Sequence, residues 1–357
     1  MPTQNLTQPF SCTYSPNVPE LLQKLDCSIA ISTYQAGKLV FISPVDDEKL
    51  VQLPRTFEKP MGIAYDSINQ KIGLACKSTV EIFRNSDELA KYYPKAPNRY
   101  DALFVPRSTF YSGAIDIHDL RFGKSGTIFG VNTLFSCLVK IDDDYSFTPY
   151  WTPPFIDDMV SEDRCHLNGM AMENGLPKYV TMFNQGNKKQ SWRTRITETG
   201  TLMDITTNKV LNEDLGMPHS PLIVGDKLFL LQSAKGNLVE VDRKTGEITE
   251  IVNLKGFVRG MAYYKDYLFI GLSKLRKNSS TFAKLPIADL ANHSGIAIVH
   301  VPTGAFCGEI KYHTSVDEIF DIEIFPGFKR PNILNKNREE SQLGISIPQK
   351  TFWAVKQ

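Results

Sequence analysis

Six short segments of the chain resemble one another, and their spacing limits the architectures open to it. The segments are KPMGIAY (59–65), DIHDLRF (116–122), HLNGMAM (166–172), PHSPLIV (218–224), FVRGMAY (257–263) and EIFDIEI (318–324). One position from each segment aligns with the others, and these positions are Met61, His118, Asn168, Ser220, Arg259 and Phe320. The successive separations between them are 57, 50, 52, 39 and 61 residues. A repeat of this length made of short strands is typical of a propeller blade. The sequence therefore predicts an all-β protein, a β-propeller whose inner strands meet at a central axis.

A second repeated pattern indicates how many blades there are. STYQAGKLVFIS (32–43), VNTLFSCLVKID (131–142) and LQSAKGNLVEVD (231–242) each run through a turn into an alternating apolar strand. The last inner segment has too little strand sequence after it to finish a blade, whereas residues 28–54 supply about three strands without an inner one. Pairing the two closes the ring without a free sheet edge. We therefore predict a six-bladed β-propeller, its last blade closed by N-terminal strands plus a C-terminal inner strand.

The pattern also divides the chain into regions. Residues 1–26 are predicted to form an N-terminal arm, residues 27–327 the propeller, and residues 328–357 a C-terminal tail that packs on it. Insertions fall at 85–101, 184–200 and 275–293. Their aromatic residues could roof the channel, recognise a partner or simply pack, and they include Tyr92, Tyr93 and Trp192.

Composition argues against several kinds of partner. The formal net charge is +1, so no overall field attracts nucleic acid or anionic lipid. No run of about 18 apolar residues predicts a membrane helix, and no GxGxxG or GxxxxGKS/T pattern predicts a nucleotide-binding loop. The N-terminus lacks the features of a signal peptide, and the six cysteines contain no CxxC pair. These features predict a soluble cytoplasmic protein with reduced thiols and no nucleic-acid or membrane partner.

The starts of the inner strands are where residues distant in sequence should meet. Alternate residues share one face of a strand, so each segment offers two candidate channel-facing positions. One register places Lys59, Met61, Asp116, His118, His166, Asn168, Pro218, Ser220, Phe257, Arg259, Glu318 and Phe320 in the channel. A slip of one residue would expose Pro60, Asp119, Gly169, His219, Gly260 and Asp321 instead. Irregular strand starts could let His219 and Asp321 face the funnel in either register.

Three histidines near these positions, His118, His166 and His219, are the candidate catalytic residues. Imidazole and amide oxygen are ligands of divalent metals. One divalent metal ion is therefore a candidate cofactor, with His118, His166, Asn168 and His219 as its candidate ligands. A histidine beside a carboxylate could instead act as a general acid or base. A third interpretation is that these groups are hydrogen-bonded plugs, since buried polar groups need partners.

Other polar residues near the histidines are candidate ligand-binding groups. They are Arg259, Asn168, Asp116, Asp119, Glu318, Asp321, Lys274 and Arg276. Arg259 could bind a carboxylate or phosphate through its fork of donors, or form a salt bridge to Glu318 or Asp321. Lys274 and Arg276 could clamp an anion or lie in a solvated turn.

Several motifs resemble those of a bacterial family of conserved hypothetical proteins, known as a domain of unknown function. They are DRCHLNGMA, MPHSPL, FVRGMAY with GLSKLR, EIFDIEI, STYQAGKL and NTLFSCLVKID, and the resemblance covers about residues 27 to 330. More distantly, HLNGMA resembles the Asn-Gly of the six-bladed superfamily of gluconolactonases, senescence marker protein, strictosidine synthase and paraoxonase. That resemblance implies a divalent cation near Asn168. The other blades depart from it, with His118, Ser220 and Arg259 where the superfamily has Asn and Asp.

These observations predict a propeller that binds a small or peptidic ligand in a polar central funnel. In the catalytic form of this prediction, a metal or the histidines activate a water or polarise a carbonyl in hydrolase, lyase or isomerase chemistry. The alternative is a non-catalytic scaffold that binds a protein partner through its rim loops, because a propeller fold does not imply an enzyme.

Overall fold

The structure is a computed structural model that describes residues 8–275 and 282–355. Short strands are its main regular elements. The chain opens with β1 (Cys12–Tyr14), α1 (Val18–Leu25), β2 (Cys27–Thr33), β3 (Lys38–Pro44) and β4 (Leu50–Thr56). The next unit, blade 1, contains β5 (Ile63–Asp66), β6 (Lys71–Ala75), β7 (Val80–Asn85), α2 (Asp87–Lys91) and β8 (Ala102–Phe110).

Blades 2 to 4 follow in chain order. Blade 2 is made of β9 (Ile117–Phe122), β10 (Ile128–Asn132), β11 (Cys137–Ile141) and β12 (Thr148–Trp151). Blade 3 is made of β13 (Gly169–Glu173), β14 (Leu176–Met182), β15 (Gly200–Asp204) and β16 (Lys209–Leu215). Blade 4 is made of β17 (Pro218–Val224), β18 (Lys227–Gln232), β19 (Asn237–Val241) and β20 (Ile248–Asn253).

The remaining elements complete the ring and the tail. Blade 5 is made of β21 (Phe257–Tyr264), β22 (Tyr267–Ser273), β23 (Ser294–His300) and β24 (Ala305–Tyr312). The chain ends with β25 (Asp321–Pro326), β26 (Pro331–Ile333), α3 (Glu339–Leu343), β27 (Gly344–Ile347) and β28 (Lys350–Trp353).

The ring closes as the sequence predicts. The sixth sheet has the strand order β25-β2-β3-β4, so the C-terminal inner strand pairs with three N-terminal strands. Blades 2, 3 and 4 are four-stranded meanders, and blades 1 and 5 each carry one extra strand. The fold prediction of a six-bladed β-propeller is therefore confirmed. No helix in the described parts of the chain is long and apolar enough to cross a bilayer.

The two ends of the chain cover the edges of two blades. Strand β1 pairs antiparallel with β24 at the outer edge of blade 5, and β26 pairs parallel with β8 at the outer edge of blade 1. An outer strand presents unpaired backbone groups, and each added strand satisfies a row of them. Helix α1 starts with a proline in its first turn and buries Val18, Leu22 and Leu25 against the propeller.

Contacts between neighbouring inner strands alternate around the ring. In blades 1, 3 and 5 the contacts involve Gly62, Gly169 and Gly260. A Cβ atom on Gly62 would lie 2.9 Å from the Leu120 nitrogen, and one on Gly260 would lie 2.9 Å from the Asp321 Cα. The odd-numbered blades therefore approach the following blade at a distance that only glycine permits.

The even-numbered blades contact the following blade through a side chain. The Asp119 carboxylate accepts a hydrogen bond from the Met170 nitrogen at 2.9 Å. The Ser220 hydroxyl oxygen accepts one from the Gly260 nitrogen at 3.0 Å, and Asp321 accepts one from the Ile63 nitrogen at 2.9 Å. The inner ring is therefore a two-blade unit repeated three times. This symmetry pairs His219 with His118, whereas the sequence alignment had placed Ser220 opposite His118.

Candidate functional site

The inner strands begin with irregular backbone, and this irregularity brings the site together. Positive φ angles occur at Asp116 (60°), His166 (52°) and Ser220 (50°). The register of β17 also shifts between His219 and Leu222. Simple alternation therefore fails at these strand starts, as expected for a β-bulge. Residues from both sequence registers meet at the same end of the channel.

The histidines form a chain of ring contacts at this end. The ring centroids of His118 and His166 are 5.1 Å apart in an edge-to-face arrangement. His219 joins through the ring of Phe183, which lies 4.4 Å from His166 and 5.2 Å from His219. His118 also contacts Phe320 at 5.4 Å. The structure thus places all three candidate histidines in one cluster, but only His118 and His166 touch.

Each of these imidazoles uses its Nδ1 atom to bond the protein. His118 Nδ1 bonds the Asp116 carbonyl at 3.0 Å, and His219 Nδ1 bonds the Met217 carbonyl at 3.1 Å. A carbonyl oxygen can only accept, so Nδ1 carries the proton in both rings. Neither Nε2 atom has a hydrogen-bond partner among the described residues. Each neutral ring therefore keeps a free Nε2 lone pair.

Burial keeps two of the histidines uncharged. It lowers the pKa of His219 well below its ordinary value, and it lowers the pKa of His118 despite the nearby carboxylate of Asp116. Burial also opposes ionisation of Asp116, but the Lys59 ammonium, 2.7 Å away, favours its carboxylate form, and the pKa of Asp116 is lowered. The rim therefore combines a charged Lys59–Asp116 pair with a neutral imidazole.

We expect the His118 ring to stay unprotonated at pH 5.5 in the folded protein. The unfolded chain takes up its proton near pH 6.5. The native pKa is lower, so the contribution of His118 to stability is complete above the unfolded pKa of about 6.5. It is lost as the pH falls from there toward the native pKa. An NMR titration of ring-labelled histidine measures this directly, with the urea-unfolded protein as the reference. A His118 midpoint at or above 6.5 in the folded state would contradict the assignment.

His166 differs from the other two because its partner is a carboxylate. Its Nδ1 lies 3.0 and 3.1 Å from the two Asp163 oxygens. The indole nitrogen of Trp192 donates to the same carboxylate at 3.1 Å, and the Trp192 ring lies 4.5 Å from the His166 ring. A carboxylate on Nδ1 orients an imidazole and stabilises its protonated form. His166 and Asp163 therefore have the geometry of a general-base pair.

Arg259 is the second notable group at the mouth. Its guanidinium carbon lies 3.6 Å from the centre of the Phe320 ring, close enough for a cation–π interaction. It forms no hydrogen bond or ion pair with any described residue, so neither of the expected salt bridges, to Glu318 or Asp321, is present. Burial lowers the pKa of Arg259, although Tyr34 and Glu318 act to raise it. The guanidinium donors are available to a ligand.

Glu318 instead bonds residues of the sixth sheet, whose inner strand β25 it precedes. Its Oε2 atom accepts hydrogen bonds from the Thr33 hydroxyl at 3.1 Å and the Gln35 nitrogen at 3.2 Å. Its Oε1 atom is buried without a partner in the described parts of the chain. Burial raises the pKa of this carboxyl. Glu318 thus interacts electrostatically with Arg259 without forming an ion pair with it.

Two of the other acidic candidates belong to the interior of the channel. Asp119 and Asp321 hold the blade contacts described above, and both approach Arg121, at 3.3 and 4.0 Å. Burial raises the pKa of both carboxyls, and it raises the pKa of nearby Glu323 to about 7. Sequence reasoning missed Arg121 and Glu323. Both lie two residues after an identified aspartate, so extending the alternation one step would have found them.

The remaining candidates bond other residues or lie outside the described residues. Lys274 pairs with Asp317 at 2.5 Å, and Arg276 lies outside the described residues. The amide oxygen of Asn168 accepts from the Thr181 hydroxyl at 2.7 Å, within the same blade. Its Nδ2 atom is buried without a hydrogen-bond partner among the described residues.

The candidate metal ligands do not form a metal centre. Among residues 8–275 and 282–355, no group of three or more His, Cys, Asp or Glu side chains is arranged to hold a metal ion. The Asn168 oxygen is already bonded, and His219 reaches His166 only through an intervening aromatic ring. The donor set therefore does not fit a divalent cation, and metal binding stays a prediction.

An apolar roof covers the side of the mouth formed by blades 3 to 5. Trp192 and Phe183 pack with Phe257, Leu285 and Ile287. These residues include parts of the 184–200 and 275–293 insertions, so those insertions adjoin the imidazoles. The 85–101 insertion lies elsewhere, because its Tyr93 packs on Tyr100 and Trp353 of the tail. The site is therefore a polar mouth with one aromatic wall.

Fold and site together define a six-bladed β-propeller with a histidine- and arginine-bearing funnel. A family model described as a domain of unknown function (DUF4915) matches residues 16–334. The chain belongs to this family, as the sequence motifs predict. No curated protein matches the sequence significantly.

Solved structures similar to the chain have low sequence identity to it. One is from the crystal structure of a nidogen/laminin complex, with a TM-score of 0.54, 9% identity, and coverage of 84% of this chain and 99% of that chain. A protein of unknown function from Bacteroides caccae has a TM-score of 0.53 and 10% identity, and the match covers 84% of this chain and 99% of that chain. A streptogramin B lyase structure has a TM-score of 0.41 and 10% identity, and the match covers 79% of this chain and 75% of that chain. At such identities the first two similarities show a propeller fold alone.

Proposed function

We propose that the funnel binds a small organic anion, or the carboxylate of a peptide, and transfers a proton on it. The observation that carries this proposal is the Arg259 guanidinium, which stacks on Phe320 without an acceptor among the described residues. A cation removed from water is unfavourable unless it is paired. A bound carboxylate would supply the missing acceptors in a bidentate geometry.

The neighbouring groups suit the rest of such a ligand. His118 and His219 present neutral Nε2 acceptors, and Phe183 and Trp192 form an apolar wall. Lys59 adds a second cation at the rim, although Asp116 pairs with it. These features favour a ligand that joins an anionic group to an apolar body and a hydroxyl or ammonium donor.

The His166–Asp163 pair would carry the chemical step. With Nδ1 held by the carboxylate, the Nε2 atom of His166 would take a proton from a water or from an acidic C–H of the bound ligand. The imidazolium so formed would be stabilised by Asp163 and could return the proton to the leaving group. Hydrolase, lyase and isomerase reactions all use this transfer, and no metal ion is needed for it here.

Arg259→Met is expected to reduce ligand stabilisation without unfolding the protein. Losing a charge-assisted contact worth about 1.5 to 3 kcal/mol weakens binding about 10- to 100-fold. The measurement is the shift in melting temperature with pyruvate, succinate, glutamate and trialanine at constant ionic strength. Arg195→Met is the matched control, because Arg195 is exposed and pairs with Glu198 at the surface. Equal shifts in both variants would contradict the anion site.

A second arm separates proton transfer from binding. Any ligand that stabilises the protein is incubated in D2O, and exchange of its acidic hydrogens is followed by NMR. Asp163→Asn should slow the exchange while the melting shift persists. If Arg259→Met and Asp163→Asn leave every ligand effect intact, the scaffold alternative is favoured, in which the rim loops bind a protein.

A further inference from the structure

A second polar cavity lies at the outer edge of blade 6, separate from the funnel. Its volume is about 320 Å³, and its lining residues are Pro54, Arg55, Thr56, Asn335, Asn337 and Arg338. The first three end the outer strand β4, and the last three lie between β26 and α3. We propose that this cavity binds the phosphate group of a small phosphorylated molecule.

The first argument is that Arg55 is held in place by neutral groups. Its Nε donates to the Asn332 Oδ1 at 3.0 Å, and its Nη1 donates to the Pro54 carbonyl at 3.1 Å. Asn332 is completely buried, and its oxygen also accepts from the Ile333 nitrogen. No carboxylate pairs with Arg55 in the described parts of the chain. Its charge is therefore oriented but not neutralised.

The second argument is that an ion pair with Glu340 holds Arg338 in place. Its Nε lies 3.3 Å from the Glu340 Oε2, and Glu340 is buried and also pairs with Lys95. Both arginines line the cavity. Glu340 offsets the charge of Arg338, whereas Arg55 has no carboxylate partner among the described residues, and an anion bound between the two guanidinium groups would relieve their repulsion. Consistent with this, burial lowers the pKa of Arg55, and Arg338 contributes to the lowering.

The donor count favours phosphate over a carboxylate. Thr56 supplies a hydroxyl, and it accepts from the Lys38 ammonium at 2.5 Å, so a third cation stands beside the cavity. Two guanidinium groups, one on β4 and one just before α3, offer more donors than the two oxygens of a carboxylate can accept. A phosphate monoester carries nearly two charges and three terminal acceptor oxygens, and arginine binds it through two parallel hydrogen bonds. The cavity also leaves room for an attached sugar-sized group.

The test uses glucose 6-phosphate as the probe and glucose as the uncharged control, by calorimetry at constant ionic strength. The wild-type protein should bind the phosphorylated sugar and not glucose. Arg55→Met should weaken binding about 10- to 100-fold, from the loss of one charge-assisted contact of about 1.5 to 3 kcal/mol. Arg55→Lys keeps the charge but not the forked guanidinium donors, so its affinity for the probe should lie between those of the wild type and Arg55→Met.

Arg107→Met is the matched control for local effects. Arg107 also follows a proline in an outer strand and donates Nη1 to that proline's carbonyl, at 3.0 Å, but it is exposed and does not line the cavity. Binding in this variant should equal that of the wild type. The proposal is overturned if Arg55→Met and Arg107→Met bind the probe equally well. It is also overturned if the wild type shows no binding at about 10 mM probe, a concentration above the millimolar dissociation constants of weak specific sites. Arg338→Gln gives an independent second test if Arg55→Met does not fold.

Discussion

Gly260→Ala is expected to lower the free energy of unfolding by about 4 kcal/mol, because it combines backbone strain with overpacking. Gly260 has a φ of +76°, and an added Cβ would lie 2.9 Å from the Asp321 Cα in the next blade. The neighbour is backbone, which cannot rotate away. The same shift would disturb the hydrogen bond from the Gly260 nitrogen to Ser220. Urea unfolding of the purified variant measures the loss.

Gly327→Ala separates the two causes. Gly327 has the same φ of +76°, but nothing lies within 4 Å of an added Cβ. We expect this variant to lose only about 1 kcal/mol, the strain of a left-handed alanine. The difference between the variants then measures the approach of the two inner strands. Similar losses in both would show that the ring contacts are looser than described.

Arg121→Met is expected to lower the free energy of unfolding by about 3 to 5 kcal/mol at pH 8, because it leaves buried carboxylates without their cation. Arg121 lies 3.3 Å from Asp119 and 4.0 Å from Asp321, and its charge also lowers the pKa of Glu323. Arg243→Met is the control. Arg243 pairs with Glu173 at a partly exposed position, where an ion pair contributes at most about 1 kcal/mol.

The pH dependence of this loss has a definite sign. Burial raises the native pKa of Glu323 to about 7, and it raises that of Asp321 as well, whereas unfolded carboxyls titrate near pH 4. The native state holds the extra protons between these values, so their contribution to stability is present below about pH 4 and is lost as the pH rises through about 7. The Arg121→Met defect should therefore shrink at pH 5. If the loss of unfolding free energy in Arg121→Met were the same at pH 5 and pH 8, these carboxyls would not titrate in that range.

Much of the fold could be predicted because its signals are local and repeated. The inner segments carry Gly-Met-Ala or an equivalent apolar run at each blade, and the Lys265-Asp266 pair forms the tight turn between β21 and β22, with φ angles of 44° and 69°. Closure of the ring could be predicted because residues 28–54 carry strands without an inner partner. Each inference needed only the alternation within a strand and the count of strands.

Less of the site could be predicted, because alternation fails where the strands begin. The bulge after His219 shifts the register of β17, so the alignment paired Ser220 with His118. The aromatic ring of Phe183, which links His166 to His219, lies just after the second strand of blade 3 and had no motif to mark it. The Asp163 carboxylate lies in a loop, where spacing does not predict direction.

The sequence by itself determined that this chain forms six blades, joined through an N-terminal and C-terminal composite, with three histidines at one end of the channel. Strand periodicity and blade length are properties of consecutive residues, so they can be read without coordinates. Only the tertiary structure decided which polar groups neutralise one another. Asp119 and Asp321 hold the blades together around Arg121, whereas Arg259 is left without a partner among the described residues. That division depends on contacts between residues of different blades, 4.0 Å from Arg121 to Asp321 and 3.6 Å from Arg259 to the Phe320 ring. The linear order does not contain these distances.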